Sequence, residues 1–375
     1  MRVLHVIPSL ADRSGGPAAA IVPMCRALQA EGVDPLIVTT NEGQPRSGTE
    51  EVLNFEGVPV KCFPVQLGAS YKYSRPLATW LGKNVKNFDL VHVHAVFNHS
   101  SVAAASACRK AGVPYVVRPL GTLDPWSMKQ KPVRKRLFWF LFAKRLLTAS
   151  AAVHYTAAAE KTATEEYLRM NHGRVVPLGV NVNGSEHDDS VANYFPELAR
   201  EPYVLALSRL HPKKNLDGLI EAFHSLKEQR CRLVIAGEGP GEYLSFLRDK
   251  ARGSERISFT GWVEGKQKEA LMRCASLFVS PSRQENFGLS MLEAMACGVP
   301  VLVTSQVNLA REIHSAEAGW VVELEDLSNG LAVVMASERE RMTRGKVAYE
   351  FAKRYSWEKV GTDLADLYRE IIKRS

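Results

Sequence analysis

The stretch LFVSPSRQENFGLSMLEAMACGVPVLVT, residues 277–304, holds two short apolar runs, LFVS and PVLVT, around a segment of helical character. Both runs are apolar at successive positions, without the polar alternation of a half-exposed strand. They read as strands buried on both faces, as in a parallel sheet. Gly288 stands where the helix LSMLEAMACG begins. Strand, loop, helix and strand form the repeating unit of a sheet covered by helices.

Outward from this stretch the same unit recurs. Toward the N-terminus lie the strand candidates YVLALSRL (203–210), RLVIAGEG (232–239) and ISFTGWV (257–263). Beyond them a polar segment without period, residues 181–201, reads as a linker. The pattern then resumes with RVLHVI (2–7), DPLIVTT (34–40), DLVHVH (89–94), PYVVRPL (114–120) and AVHYTA (152–157). Helical patterns separate these runs, among them SSVAAASACRKAG and AAAIVPMCRALQAEG with Gly32 as its C-cap. The fold expected is α/β: two tandem Rossmann-like, doubly wound domains. The boundaries expected are 1–185 for the first domain, 186–200 for the linker, 201–355 for the second domain and 356–375 for a C-terminal helix able to cross back to the first. Ligands in such sheets sit beyond the carboxyl ends of the strands, and in a tandem pair those ends can face a central cleft.

Composition sets outer bounds. The 375 residues are 46% hydrophobic and 23% charged, the balance of a soluble globular protein. No apolar stretch reaches membrane-spanning length, and the start MRVLHVIPSL reads as a first strand and not as a signal peptide. The six cysteines are scattered, with no C-x-x-C pair and no zinc spacing, which fits thiols packed in a reducing cytoplasm. A net charge of +8 permits anionic partners of several kinds. No nucleic-acid-binding module accompanies it, so nucleic acid is not expected.

Glu285 and Glu293, with seven residues between them, bracket the start of the helix after LFVS. A helix N-terminus attracts anions through its free N–H groups and its dipole. A carboxylate is a poor neighbour for a phosphate but a good acceptor for sugar hydroxyls. Acids placed either side of an anion site therefore suggest a sugar nucleotide, with amides and cations at its diphosphate. Acids near a helix start are also common through dipole complementarity alone. A glycosidase would likewise use two carboxylates, although it has no need of phosphate-binding residues.

The stretch resembles the Glu-x7-Glu signature of the retaining glycosyltransferases of family 4, which have the two-domain GT-B fold. The resemblance continues in EAMACGVPVLVT, LSRLHPKKNLDGLIEAF (207–223), LVIAGEGP (233–240), the loop after FTGWVEG, GGP at 15–17 and FDLVHVHAVFNHS (88–100), and so covers nearly the whole chain. Ser208 and Asn286 stand where the family often has glycine, and the latter puts a polar side chain beside the donor sugar. VVRPLGTLDPWSMKQ (116–130) is similar to transferases of bacterial polysaccharide assembly.

What the resemblance implies is specific. The first domain would be the acceptor side and the second would hold the donor. Arg209 and Lys214 would neutralise the diphosphate, and the N–H groups at Phe287, Gly288 and Leu289 would add to them. Glu293 would accept from the ribose hydroxyls, while Glu285 and the neighbouring Asn286 would lie at the donor sugar. The base would pack near Gly237 and Val263. Gly15 and Gly16 would let first-domain backbone approach the phosphates, and His94 would sit by the reacting sugar. His92 is assigned to the opposite face of its strand and to structure, and His5 to the core. The expected activity is retaining, metal-independent hexosyl transfer from a UDP- or GDP-sugar to a glycan or lipid-linked acceptor, in the cytoplasm. No cofactor or metal is expected, because the cation pair takes the place of a divalent ion. A sugar-nucleotide epimerase or hydrolase of the same fold and a non-catalytic donor-binding protein are the alternatives. Residues 129–145, with Lys129, Lys131, Arg134, Lys135, Arg136, Lys144 and Arg145 around LFWFLFA, read either as a surface helix or as a segment that rests on anionic lipid.

Overall fold

Apolar runs rich in Val, Ile and Leu become strands here because branched side chains pack well on a pleated surface covered from both sides. The computed structural model describes residues 1–11, 16–41, 52–68, 71–130, 132–182, 190–226 and 230–375. The chain divides into two compact units, Met1–Gly179 with Trp357–Ser375, and Val180–Ser356. Each has a sheet of its own.

In the first unit the strands are β1 (Arg2–Val6), β2 (Asp34–Thr40), β3 (Val52–Phe55), β4 (Val58–Phe63), β5 (Leu90–His94), β6 (Tyr115–Arg118), β7 (Ala152–Tyr155) and β8 (Gly173–Val175). They lie in the order β3-β4-β2-β1-β5-β6-β7-β8, parallel except for the β3–β4 hairpin. Alternate residues feed two cores. Leu4, Val6, Val91, Val93, Val117 and Val153 face one side. Val3, Ile7, Leu90, Val116 and Ala152 face the other, where Ile21, Met24 and Leu28 of the helix Gly16–Ala30 meet Val360, Leu364, Tyr368 and Ile371 of the helix Trp357–Arg374. The buried positions of that last helix recur every three to four residues, the stripe that docks a helix on a core.

The second unit has β9 (Tyr203–Leu207), β10 (Arg232–Ala236), β11 (Ile257–Gly261), β12 (Leu277–Ser280), β13 (Val301–Thr304) and β14 (Gly319–Val322). Their order is β11-β10-β9-β12-β13-β14, all parallel. The chain winds one way from β9 to β11 and the other way from β12 to β14, so the switch point lies between β9 and β12. Within the expected linker, residues 186–189 lie outside the described ones. Val191 and Leu198 are buried in the second unit, whose first residue is Val180, so the described part of that segment packs in a domain. No described helix is long and apolar enough to cross a membrane.

Candidate functional site

The strand order of the second unit brings the loops after β11, β10, β9 and β12 side by side at one edge of the sheet. Those loops carry the residues singled out above. After β9, the 3-10 turn Pro212–Lys214 is closed by the His211 ring, whose Nδ1 accepts from the Lys213 N–H at 3.1 Å. The Arg283 N–H donates to the Lys213 carbonyl at 2.8 Å and joins this turn to the loop after β12. Lys214 Nζ donates to Glu285 Oε2. The backbone of Glu285 is clamped from behind: its N–H donates to the Gln306 carbonyl at 3.1 Å and its carbonyl accepts from the Asn308 N–H at 3.0 Å. Burial by itself would raise the Glu285 carboxyl. Lys214, then Lys213 and Arg209, outweigh it and hold the group below the usual carboxylate range.

Gly288 has φ +78° and caps the helix Leu289–Ala296, in which Glu293 lies one turn from the start. Ser290 Oγ donates to the Leu207 carbonyl at 2.9 Å and pins that helix start to the end of β9. The Phe287 ring is buried edge-on against Tyr355, 6.0 Å between centroids, so its backbone and not its ring faces the site edge. Asn286 accepts at its carbonyl from Asn308 Nδ2 at 3.0 Å. Gly237 has φ +129°, and a Cβ there would lie 1.9 Å from the Ser208 carbonyl oxygen; the loops after β9 and β10 meet so closely that no side chain fits. Its N–H donates to the Gly261 carbonyl at 2.7 Å, and Val263, buried, follows two residues later. One partner escaped the sequence reading: Lys268 Nζ donates to Glu293 Oε1 at 2.7 Å. A lysine on an amphipathic helix, far along the chain from the acid it meets, carries no local mark.

In the first unit, Gly15 lies outside the described residues and Gly16 is the exposed first residue of its helix. His94 ends β5 beside its register partner Arg118, which ends β6. The assignment of His92 to the opposite face is incorrect. Residues two apart on a strand share a face, and the His92 and His94 rings lie 4.2 Å apart. His5, His92, His94, Arg118 and His154 form one wholly buried polar layer on the face covered by the Gly16–Ala30 and Trp357–Arg374 helices. The Val176 carbonyl can only accept, so His154 Nε2 donates to it at 2.7 Å. His154 Nδ1 must then accept from His92 Nε2 at 3.2 Å, and His92 Nδ1 from the Tyr368 hydroxyl at 2.6 Å. His5 Nδ1 and His94 Nε2 share a hydrogen bond at 3.1 Å. Burial and the neighbouring Arg118 lower His5 to about 3. Burial, then Arg118, does the same for His154, again to about 3. Burial and the surrounding histidines and Arg118 lower His92 and His94 well below their usual value. His5 Nε2, His94 Nδ1 and Arg118 Nε and Nη2 are buried without a hydrogen-bond partner. Nitrogens of His5, His92 and His94 lie within 4.8 Å of one another, the spacing of a metal group. Both nitrogens of His92 are already engaged, however, and Arg118 adds a like charge, so the set fits a cation poorly.

The basic segment divides by environment. Phe138 and Trp139 pack against the core, whereas Val133, Leu137, Phe140 and Leu141 stand in solvent, Phe140 76% exposed. Lys135 turns inward, donating to the Ser127 carbonyl at 2.6 Å with its ammonium 5.1 Å from the centre of the Phe97 ring. It leaves the outward basic set. Arg134, Arg136, Lys144 and Arg145 are exposed around the apolar side chains, and Lys131 lies outside the described residues.

A family model described as "Glycosyl transferases group 1" matches residues 193–351, and one described as "Glycosyl transferase 4-like domain" matches residues 15–179. A GDP-mannose-dependent alpha-(1-6)-phosphatidylinositol dimannoside mannosyltransferase of Mycobacterium tuberculosis is 28% identical, across 97% of this chain and 95% of its own. A phosphatidyl-myo-inositol mannosyltransferase of Mycobacterium leprae is 30% identical, but the match spans about half of each protein, 52% and 53%. Among solved structures, a sucrose-phosphate synthase from Thermosynechococcus elongatus superposes with a TM-score of 0.79 at 19% identity, covering 100% of both chains. HepE of Anabaena, in complex with UDP and glucose, gives 0.78 at 20% identity over 99% of this chain and 100% of that one.

Proposed function

Given that the chain belongs to the group 1, family-4-like glycosyltransferases with tandem α/β domains, we propose that it moves a hexosyl-type sugar from a UDP- or GDP-sugar to a glycan or lipid-linked acceptor, with retention of configuration. The observation that carries this reading is the contact of Lys214 with Glu285, in the loop that leads into the helix carrying Glu293, at the switch point of the second sheet. Lys214 neutralises Glu285 while no donor is bound. A diphosphate draws the ammonium to itself, and Glu285 is then free to accept from the hydroxyls of the donor sugar. Arg209 shares the charge of the leaving diphosphate, and the N–H groups at the start of the Leu289–Ala296 helix add to it. Glu293 takes the ribose, and the base packs by Gly237 and Val263. With two cations at the diphosphate, charge stabilisation there does not require a metal ion. His94 is wholly buried at the end of β5, so the role expected for it at the reacting sugar requires its side chain to become accessible there.

The names of the mannosyltransferases matched above support a lipid-linked acceptor. The exposed apolar and basic segment within 132–145 supports work against the inner, anionic face of a membrane from the cytoplasm. The test is a panel of UDP-, GDP- and dTDP-sugars scored by thermal stabilisation, followed by product analysis with the labelled donor that binds. A ligand at ~100 times its Kd adds about 2.7 kcal/mol, so a true donor stands out. The expected product is a glycosylated acceptor with the donor's anomeric configuration. Free sugar alone or an epimerised nucleotide would replace transferase by hydrolase or epimerase. Binding without turnover on any acceptor would leave a donor-binding protein.

A further inference from the structure

We propose that Lys268 is a positioning residue for the ribose: it holds the Glu293 carboxylate in the orientation that reads the ribose hydroxyls and so sets the preference for ribonucleotides. This rests on the reading of Glu293 as the ribose acceptor. Lys268 lies in the first turn of the helix Gly265–Arg273, directly after the loop that holds Val263. Its Nζ reaches across to Glu293 Oε1 at 2.7 Å, in the second turn of a different helix. One side chain thus joins the loop assigned to the base with the acid assigned to the ribose.

The geometry leaves room for a ligand. A carboxylate has two oxygens and about four acceptor positions. Lys268 takes one of these, on Oε1 at 2.7 Å. The two side chains are 30% and 28% exposed, so the pair is open on one side and not sealed in the core. Without the ammonium, Glu293 has several accessible rotamers, and only some direct an oxygen at a bound ribose. A fixed carboxylate loses less freedom when the hydroxyls arrive. The opposite arrangement, in which Lys268 competes with the ribose for Glu293, predicts a change of the other sign. That makes the proposal decidable.

The experiment is calorimetry with UDP, 2′-deoxy-UDP, GDP and 2′-deoxy-GDP on the full chain, comparing wild type with Lys268→Met and Lys268→Arg. Methionine keeps the length of the stem and removes the charge, and an open pair of this kind contributes little to folding. Matching far-UV spectra and melting midpoints confirm that both variants fold. Losing one hydrogen bond to a charged acceptor corresponds to a discrimination on the order of tenfold to a hundredfold. Wild type is expected to prefer the ribonucleotide of whichever base binds by that factor. In Lys268→Met the preference should fall to within about threefold, chiefly through weaker ribonucleotide binding, and Lys268→Arg should restore most of it. Undiminished preference in Lys268→Met, or tighter ribonucleotide binding, overturns the proposal. No preference in wild type would instead remove Glu293 from the ribose, and with it that part of the proposed function.

Discussion

Lys214 and Glu285 form a pair that is mostly enclosed, with side chains 19% and 14% exposed. An enclosed charge whose partner is removed keeps its desolvation cost and loses its compensation. The two glutamates of the signature should therefore respond differently to neutral replacement. Glu285→Gln frees Lys214 for a diphosphate, so affinity for the bare nucleoside diphosphate should hold or rise while turnover collapses. Glu293→Gln should weaken nucleotide and nucleotide-sugar alike, because the ribose is common to both. The expected loss is about 1.5–3 kcal/mol, the worth of a hydrogen bond to a charged group. Calorimetry with nucleotide alone, beside initial rates, separates the two, and identical defects would refute the division of roles.

The Pro132–Phe138 helix runs through a π-helical turn, Trp139–Ala143, into the Lys144–Thr148 helix. This element shows its apolar side chains on two surfaces. Phe138, Trp139, Leu146 and Leu147 fasten it to the domain, while Leu137, Phe140 and Leu141 face water beside Arg134, Arg136, Lys144 and Arg145. Each basic side chain near an anionic surface is worth ~1 kcal/mol, screened within a Debye length. The chain is expected to co-sediment with anionic vesicles at low salt, to be released as salt rises, and to ignore neutral vesicles. Charge reversal of Arg134, Arg136, Lys144 and Arg145 should abolish binding without altering donor affinity. Lys135 is spared in that design because its ammonium is committed to the Ser127 carbonyl. Equal sedimentation with neutral and anionic vesicles would reduce the segment to an ordinary surface helix.

Across the first unit, four neutral histidines and Arg118 lie sealed under two helices. Tyr368 and Cys25 come to that layer from those helices, and the Glu160 carboxylate acts on the Arg118 charge. The sign of the resulting pH dependence follows from proton counting. Above pH ~6.5 a histidine is mostly neutral in both the folded and the unfolded chain and contributes nothing. Below that value the unfolded chain takes up protons that the folded one refuses until about 3 for His5 and His154. The unit therefore loses stability as pH falls, by up to ~1.4 kcal/mol per pH unit for each histidine. Glu285 acts in a lower window: its depressed carboxyl contributes stability above the unfolded value near ~4.3 and loses it as pH falls through the folded value. Urea unfolding between pH 8 and 5 is expected to weaken steeply below ~6.5. A flat profile over that range would show that the layer is protonated or open in solution.

The tandem α/β architecture, the glycine at the helix start and the position of Glu285 and Glu293 were all readable along the chain. Buried-strand runs, helical periods and a signature spaced within one strand–helix unit are local patterns, and local patterns survive in one dimension. Only the folded chain decided which side chains meet. Lys268 finds Glu293 because two consecutive helices pack on the same sheet edge. Lys135 turns inward because Phe97 and the Ser127 carbonyl wait there. His92 joins His94, His5 and His154 because period two and the strand order β1-β5-β6-β7 stack them under a helix that begins more than 200 residues further on. Pairings across such separations depend on strand order and helix docking, which hydrophobic burial settles for the chain as a whole and no local run encodes.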